Sequence, residues 1–455
     1  MSKKPRFITP RKTVKKPLPT QAETTVEKFS HDMRGLARVG KKTVFIDNAL
    51  PGEKVQFRYS AHRSRFDEGV AGDILQASPQ RCAPRCPHVA LCGGCSLQHL
   101  QADAQIAEKQ KILLDQLARF GGIEPEEILS PLVAEPYGYR HKARIGIRQV
   151  KAGKGKKLIF GFREKRSNDL TDIDECHVLH PSIAQQIPTL KQLVAQSDGR
   201  AYFSQLEVAV GDDAAALVLR HLQPLSQRDR EAWLTFAKNT GIHMYIQAGD
   251  AATMQRLWPE GGDALLSYHL PEFDLTLRFQ PMDFIQVNFE INRLMVNRAV
   301  QLLDPQADER VLDLFCGLGN FTLPLARRAA VVVGIEGAGA LTQRGKENAI
   351  LNRLDNVQFH TADLNAEMVK KAWASGGFDK ILLDPPRDGA LQAVRGIARF
   401  KARKIVYVSC NPATLARDAG ELAQFGYRLK KVCVMDMFPQ TAHVESMAVF
   451  ELDPQ

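Results

Sequence analysis

The chain has 455 residues, 44% of them hydrophobic, and 61 Lys and Arg against 51 Asp and Glu, for a formal net charge of +10. That length can bury more than one core and suggests about three domains. No run approaches the roughly 18 apolar residues of a membrane span, and residues 1–27 lack the apolar stretch of a signal peptide, so a cytoplasmic protein without a membrane partner is expected.

All of the charge excess lies in residues 1–100, which carry 18 Lys and Arg against 8 Asp and Glu and leave 43 against 43 in the remainder. Such a concentration favours a polyanion, and nucleic acid is the common one in cytosol. Residues 1–18 hold seven basic residues, three prolines and no acid, the composition of a disordered basic arm. From residue 19 to residue 79 short β-type runs (43–46, 54–60, 69–75) alternate with the turn signals Asp47-Asn48 and Pro51-Gly52, which predicts a small β-barrel. With Gly35, the stretch Ala49-Leu50-Pro51-Gly52-Glu53 and basic strands, it resembles the TRAM domain, an OB-like RNA-binding barrel. Barrels of that type bind single strands with a basic groove and stacking aromatics, for which Phe45, Phe57 and Tyr59 are candidates.

Eight cysteines in a cytosolic chain are a poor disulfide framework, so a cluster points to metal or catalysis. Cys82, Cys86, Cys92 and Cys95 fall within fourteen residues rich in Pro and Gly. Zinc could be held by these four; an iron-sulfur cluster could take three of them and Cys176; a dithiol pair at Cys92 and Cys95 is a third option. Residues 104–120 read as an amphipathic helix with Ile106, Ile112, Leu113, Leu117 and Phe120 near helical spacing. Beyond it Arg140, Lys142, Arg144 and Arg148 alternate with Ile145 and Ile147, predicting a sheet with one basic face within a central α+β domain, residues 80–275.

Residues 276–455 read as a Rossmann-like α/β domain. Val311 to Leu314 form a strand that ends in a glycine turn at Gly317 and Gly319 and opens a helix, where glycines let backbone approach a ligand. The turn lacks Gly-Lys-Ser/Thr and is not a phosphate loop. The next strand ends at Glu336, 23 residues after Asp313, where a carboxylate can accept from ribose hydroxyls. Further strands are followed by Asp363, by Asp384-Pro385-Pro386-Arg387, and by Ser409-Cys410-Asn411-Pro412, which sets a cysteine at the strand edge where open α/β sheets bind ligands. A ribose-binding acid without a phosphate loop suits S-adenosylmethionine.

Residues 279–288, 313–320 and 384–387, Ser409 to Pro412, and His443-Val444-Glu445 match in order the motifs of the RNA uracil-5-methyltransferases, and the chain is most similar to the iron-sulfur branch that modifies 23S ribosomal RNA. That resemblance implies S-adenosylmethionine-dependent methylation of uracil C5 in 23S ribosomal RNA, with no obligate protein partner. It makes Cys410 the nucleophile that adds at C6 and Glu445 the base that removes the C5 proton. It assigns cofactor contacts to Gln286, Phe315, Asn320, Glu336, Asp363 and Asp384, and a [4Fe-4S] cluster to Cys86, Cys92, Cys95 and Cys176, leaving Cys82 as an extra thiol. A free cysteine, with a pKa of about 8.5, needs help to ionise at neutral pH, and Arg387 is the candidate cation. Two other readings are an amino-group methyltransferase, which needs no cysteine nucleophile, and a non-catalytic ribosomal RNA-binding factor.

Overall fold

The computed structural model describes residues 20–153, 155–364 and 371–453, so the basic arm expected over residues 1–18 lies outside the described residues. The chain forms two compact units, Met1–Arg81 and Cys82–Gln455. Among the described residues no helix is long and apolar enough to cross a membrane.

In the first unit six strands form one sheet in the order Gln21–Thr25, Lys54–His62, Phe66–Gln76, Lys42–Asp47, Gly35–Val39, Lys28–Phe29. The two outermost strands are successive pieces of a single segment. At the break between them Val26 N donates to Glu53 O (2.9 Å) and Glu27 N to Leu36 O (2.8 Å), so the segment pairs on both sides and curls the sheet closed. Strand alternation turns Val44, Ile46, Val55 and Phe57 inward. Phe57 is 0% exposed and belongs to this core, which corrects its candidacy as a stacking platform. Phe45 and Tyr59 are half-buried; the Arg34 guanidinium lies 4.7 Å over the Phe45 ring and Tyr59 stacks on His62 at 4.5 Å.

Glu53 ties the barrel together from within. Its buried carboxylate accepts from Leu50 N (2.8 Å), Ser78 N (3.1 Å), and Arg81 Nε (2.5 Å) and Nη2 (2.8 Å). Burial alone would raise its pKa, but the hydrogen bonds and the Arg81 charge outweigh it and hold the carboxyl below its usual range. A carboxyl depressed by folding adds stability above its unfolded pKa and loses it as pH falls through the folded value.

The second unit begins with the cysteine segment and helix α1 (Ala102–Gln116), whose C-terminal end widens into a π turn at Leu117–Gly121. Ile106, Leu113 and Leu117 are buried as the stripe requires, but Phe120 is 68% exposed. The π turn rotates the end of the expected helix and swings Phe120 off the apolar face. A seven-stranded sheet follows, with Lys142–Ala152 third in order. Ala143, Ile145 and Ile147 point into its core while Arg144 and Arg148 face out, giving the expected basic face. Arg144 Nε lies 2.6 Å from Glu207, and Arg148 pairs with Asp169 at 3.6 Å.

The C-terminal sheet contains β1 (Arg310–Leu314), β2 (Val331–Glu336), β3 (Val357–Thr361), β4 (Lys380–Leu383), β5 (Lys404–Ser409), β6 (Tyr427–Met435) and β7 (Glu445–Leu452) in the order β3-β2-β1-β4-β5-β7-β6, with Glu127–Ile128 added beyond β6. β1 to β5 are mutually parallel; β7 is antiparallel to both neighbours. Alternate residues bury opposite faces. Val311, Val332 and Val406 pack beneath α2 (Phe289–Leu303) and α3 (Thr322–Ala326), with α4 (Gly339–Leu351) alongside. Leu312, Val333 and Ile405 pack with α1, α5 (Leu391–Ile397) and α6 (Pro412–Gln424). This is a three-layer α/β fold whose strand order reverses between β1 and β4, the point where such sheets open a ligand crevice.

Glu53→Ala is expected to destabilise the barrel by about 3 kcal/mol, because it leaves Arg81 without its counter-ion and frees buried donors. Hydrogen exchange on the full chain should then quicken across residues 20–78; unchanged protection there would contradict the role given to Glu53.

Candidate active site

Register builds the glycine-turn side of the crevice. Leu314 pairs with Ile335 on one side and Leu383 on the other, so Phe315, Glu336 and Asp384 leave the sheet at one level on three neighbouring strands. The chain then turns sharply, with φ of +62° at Phe315, +55° at Gly317 and +101° at Gly319. A Cβ on Gly319 would sit 3.1 Å from Leu323 Cγ and 3.2 Å from Phe359 Cζ, whereas at Gly317 it would meet nothing within 4 Å. The first glycine is needed for packing; the second faces open space where a ligand can approach the backbone. Gly317 N donates to Glu336 Oε2 (3.1 Å) and Ala338 N to Oε1 (2.8 Å), which fixes the carboxylate while leaving each oxygen further acceptor capacity. Asn320 forms a reciprocal amide pair with Asn292 (2.9 and 3.0 Å) and accepts from Tyr268 Oη (2.9 Å). Asp363 is exposed, two residues beyond Thr361, the cross-strand partner of Glu336.

Asp313 does not join the other acids in the crevice. It is fully buried behind the turn, where Thr322 Oγ1 donates to it at 2.5 Å. Burial first, then the nearby carboxyls of Asp384 and Glu336, push it up to about 8, against the opposing Thr322 bond.

The Cys410 side is a clamp between two loops. Asn411 caps α6 by accepting from Ala413 N (3.1 Å), and its Nδ2 donates to Arg387 O (3.0 Å). Thr414 Oγ1 donates to the same carbonyl (3.3 Å), Arg417 Nη2 to Asp388 O (3.0 Å), and Ala390 N to Asp418 Oδ2 (2.7 Å). The segment from Asp384 to Ala390 is thereby strapped to the start of α6, beside half-buried Cys410. Gln286 Nε2 reaches Asp384 Oδ2 at 3.3 Å and joins residues 279–288 to the crevice.

Glu445 arrives from the far end of the chain. β5 and β7 pair antiparallel through Ser409 and Ser446, and continuing that register by one step sets Cys410 opposite Glu445. The Cys410 thiol is pushed up to about 11, by burial first and then by the carboxyls of Glu445 and Asp384. Arg387, which is exposed, acts in the direction expected of it but is outweighed. Burial raises Asp384 to about 7, and burial followed by Asp384 raises Glu445 well above the ordinary range against Lys109 and Arg387. Burial thus drives these three groups toward their neutral forms, and a positive ligand would oppose that drive.

Lys109, which reaches Asp436 beside the site, was not singled out by the sequence. It is 0% exposed and lies on α1 between Ile106 and Leu113, so a lysine inside an apolar stripe was the available signal. Tyr268 and Asn292, which hold Asn320, carried no signal of their own.

The cysteine segment folds against the start of the central sheet. Cys95 packs with Tyr139, Val178 and Cys176 in one small cluster, which brings Cys176 in from 81 positions away along the chain. Gly94 N donates to Cys92 Sγ (3.5 Å), and the thiols of Cys86, Cys92, Cys95 and Cys176 act on one another through space. Cys82 instead donates to Gln98 O (3.4 Å). Among the described residues no group of three or more His, Cys, Asp or Glu side chains is spaced to hold a metal ion as it stands. Cys316 and Cys433 are buried in the core.

Residues 101–452 match the model of the tRNA (Uracil-5-)-methyltransferase family, and residues 22–58 match the TRAM domain. The chain is 52% identical over 438 residues to the 23S rRNA (uracil(1939)-C(5))-methyltransferase RlmD of Alcanivorax borkumensis, covering 96% of this chain and 98% of that one. It is 50% identical over 443 residues to the protein of the same description from Hahella chejuensis, covering 96% and 99%. Among solved structures, the Pyrococcus abyssi tRNA (uracil-54, C5)-methyltransferase in complex with S-adenosyl-L-homocysteine superposes with a TM-score of 0.71 at 25% identity, over 94% of this chain and 99% of that one. A catalytic model spanning most of the residues, and relatives matching half of them from end to end, leave one assignment: the chain belongs to the tRNA (uracil-5-)-methyltransferase family.

Proposed function

We propose that the protein methylates C5 of a uridine in 23S ribosomal RNA, using S-adenosylmethionine and covalent addition of Cys410 to the uracil ring. The observation that carries this reading is the pairing of β5 with β7, which sets a cysteine opposite a buried carboxylate beside Asp384. The relatives that match end to end are described as acting on 23S rRNA, which supports that RNA as substrate.

The residues divide the chemistry as follows. Uracil C5 is too weak a nucleophile to be methylated directly. Addition of the Cys410 sulfur to C6 breaks the C5–C6 double bond and places its electron pair on C5 and O4. S-adenosylmethionine, when bound, supplies an electrophilic methyl group and a positive charge. The open backbone at Gly317 and the doubly anchored Glu336 fit its nucleoside, Glu336 accepting from the ribose, with Phe315, Asn320, Asp363, Gln286 and Asp384 lining the rest. After methylation C5 still carries its proton. Glu445 takes that proton, the C5–C6 double bond re-forms, and the C6–S bond breaks to release Cys410 as thiolate. A uridine in a stacked helix cannot reach this crevice, so the base is flipped from a loop.

The same reading assigns a [4Fe-4S] cluster to Cys86, Cys92, Cys95 and Cys176. The packing of Cys176 against Cys95, and the separate hydrogen bond of Cys82, favour this set over a zinc site that uses Cys82. It also divides the chain into a basic arm (1–18), the barrel (19–79), a central domain (80–275) and the catalytic domain (276–455), working in the cytoplasm.

With 5-fluorouridine RNA and cofactor, the wild-type protein should form a covalent adduct that survives denaturing electrophoresis, since fluorine cannot leave C5 as a proton does. Cys410→Ala should form none and should lose methylation; retained methylation would point to direct transfer to an amino group. Glu336→Gln should weaken binding of S-adenosylhomocysteine by calorimetry about 10- to 100-fold, the worth of charge-assisted hydrogen bonds of 1.5–3 kcal/mol. Protein purified without oxygen should contain iron and sulfide, lost in Cys176→Ala and kept in Cys82→Ala; zinc in their place, lost in Cys82→Ala and kept in Cys176→Ala, would favour the zinc set.

A further inference from the structure

The loop that delivers Glu445 is held from one side of the molecule. Asp436 follows Met435, the cross-strand partner of Glu445, and Lys109 Nζ donates to Asp436 Oδ1 (2.7 Å) and to Phe438 O (3.1 Å). One turn earlier on α1, Gln105 exchanges hydrogen bonds with Gln440, its Nε2 reaching Gln440 Oε1 (3.0 Å) and its Oε1 accepting from Gln440 N (3.0 Å). Ser96 N and Leu97 N donate to Gln440 O (2.8 and 3.0 Å), and Tyr139 Oη donates to Pro439 O (3.0 Å). The loop is thus gripped at Asp436, Phe438, Pro439 and Gln440.

We propose that Lys109 is a positioning residue for the proton-abstraction step: a buried ammonium, kept in place by Asp436, that anchors the loop carrying Glu445 and adds positive charge on its side of the crevice. The proposal rests on the function proposed above and deepens it. A helix needing only an apolar face would do as well with Leu or Met at this position, since a buried ion pair of similar volume is often replaced by apolar side chains without loss of stability. A cation there has a chemical use. The charges that bear on Glu445 are Asp384 from the end of β4, Arg387 from the following loop, Cys410 beside β5 and Lys109 from α1. Burial lowers the pKa of Lys109 itself, and Asp436 first, then Glu445, oppose that and favour its charged form. His443 on its own loop is held below the ordinary imidazole range by burial first, then by Arg387, Lys109 and Arg140. Asp384 opposes ionisation of Glu445; Lys109 and Arg387 favour it. Arg387 is exposed, so the one of these two cations shielded from solvent is Lys109.

The proton removed from C5 goes to Glu445, and Cys410 leaves as thiolate; Lys109 exchanges no proton in this step. Loss of its charge should therefore spare addition and slow elimination. In Lys109→Met, the 5-fluorouridine adduct should form at close to the wild-type rate. With ordinary uridine RNA, turnover should fall by about tenfold or more, the covalent RNA–protein species should accumulate, and release should need a higher pH because Glu445 ionises less readily. The double variant Lys109→Met/Asp436→Asn, which leaves no buried charge unpaired, should melt at a higher temperature than the single variant yet release product as slowly. Normal release by either variant, or an unshifted pH profile, would overturn the proposal. Failure of the wild-type protein to form any 5-fluorouridine adduct would instead sink the underlying covalent mechanism.

Discussion

Everything at this site depends on the register in which β7 pairs with β5. The last strand of the chain inserts antiparallel between β5 and β6, and the Ser409–Ser446 pair sets Cys410 and Glu445 one step further along, facing each other. Because side chains alternate across a strand, a slip of one residue would turn Glu445 to the other face of the sheet and set Ser446 opposite Cys410 in its place. The register is held by the apolar residues that follow: Met447 and Val449 go to one core, Ala448 and Phe450 to the other. Packing energy at the closed end of the strand thus specifies geometry at its open end.

Burial has a second effect on the same residues. Cys410, Asp384 and Glu445 share a crevice poor in solvent, and each is driven toward its neutral form. For Cys410, burial first and then Glu445 and Asp384 oppose formation of the thiolate, while Arg387 favours it. Arg387 and Lys109 oppose the drive toward neutral forms in part, and S-adenosylmethionine would add a further positive charge. A positive ligand in the crevice would favour the thiolate of Cys410.

Much of the fold was legible in the sequence because its signals are local. The glycine turn at Gly317 and Gly319, the strand-ending acids, and the turns at Pro51-Gly52 and Asp47-Asn48 each depend on a few adjacent residues. Where expectation and structure part, the cause is packing. Phe57 looked available for stacking until alternation in the curled sheet took it into the core. Phe120 followed helical spacing until a π turn broke the period. Asp313 resembled the other strand-end acids, but it lies one residue before the end of β1 and points beneath the turn toward Thr322. Arg387 was a reasonable activator of Cys410 on sequence distance alone, and burial with the two acids outweighs it.

By itself the sequence determined which residue types occur in which order: a basic β-rich start, a cysteine segment, a nucleoside-type glycine turn, and a cysteine and a glutamate near the ends of the last strands. Those features reside in neighbours along the chain, where spacing and turn chemistry act. Only the tertiary structure decided which of them meet. Cys176 reaches Cys95, Gln286 reaches Asp384, and Lys109 crosses 327 positions to bond Asp436. Such contacts are set by strand register and by the burial of whole helix faces, long-range quantities that no local pattern encodes.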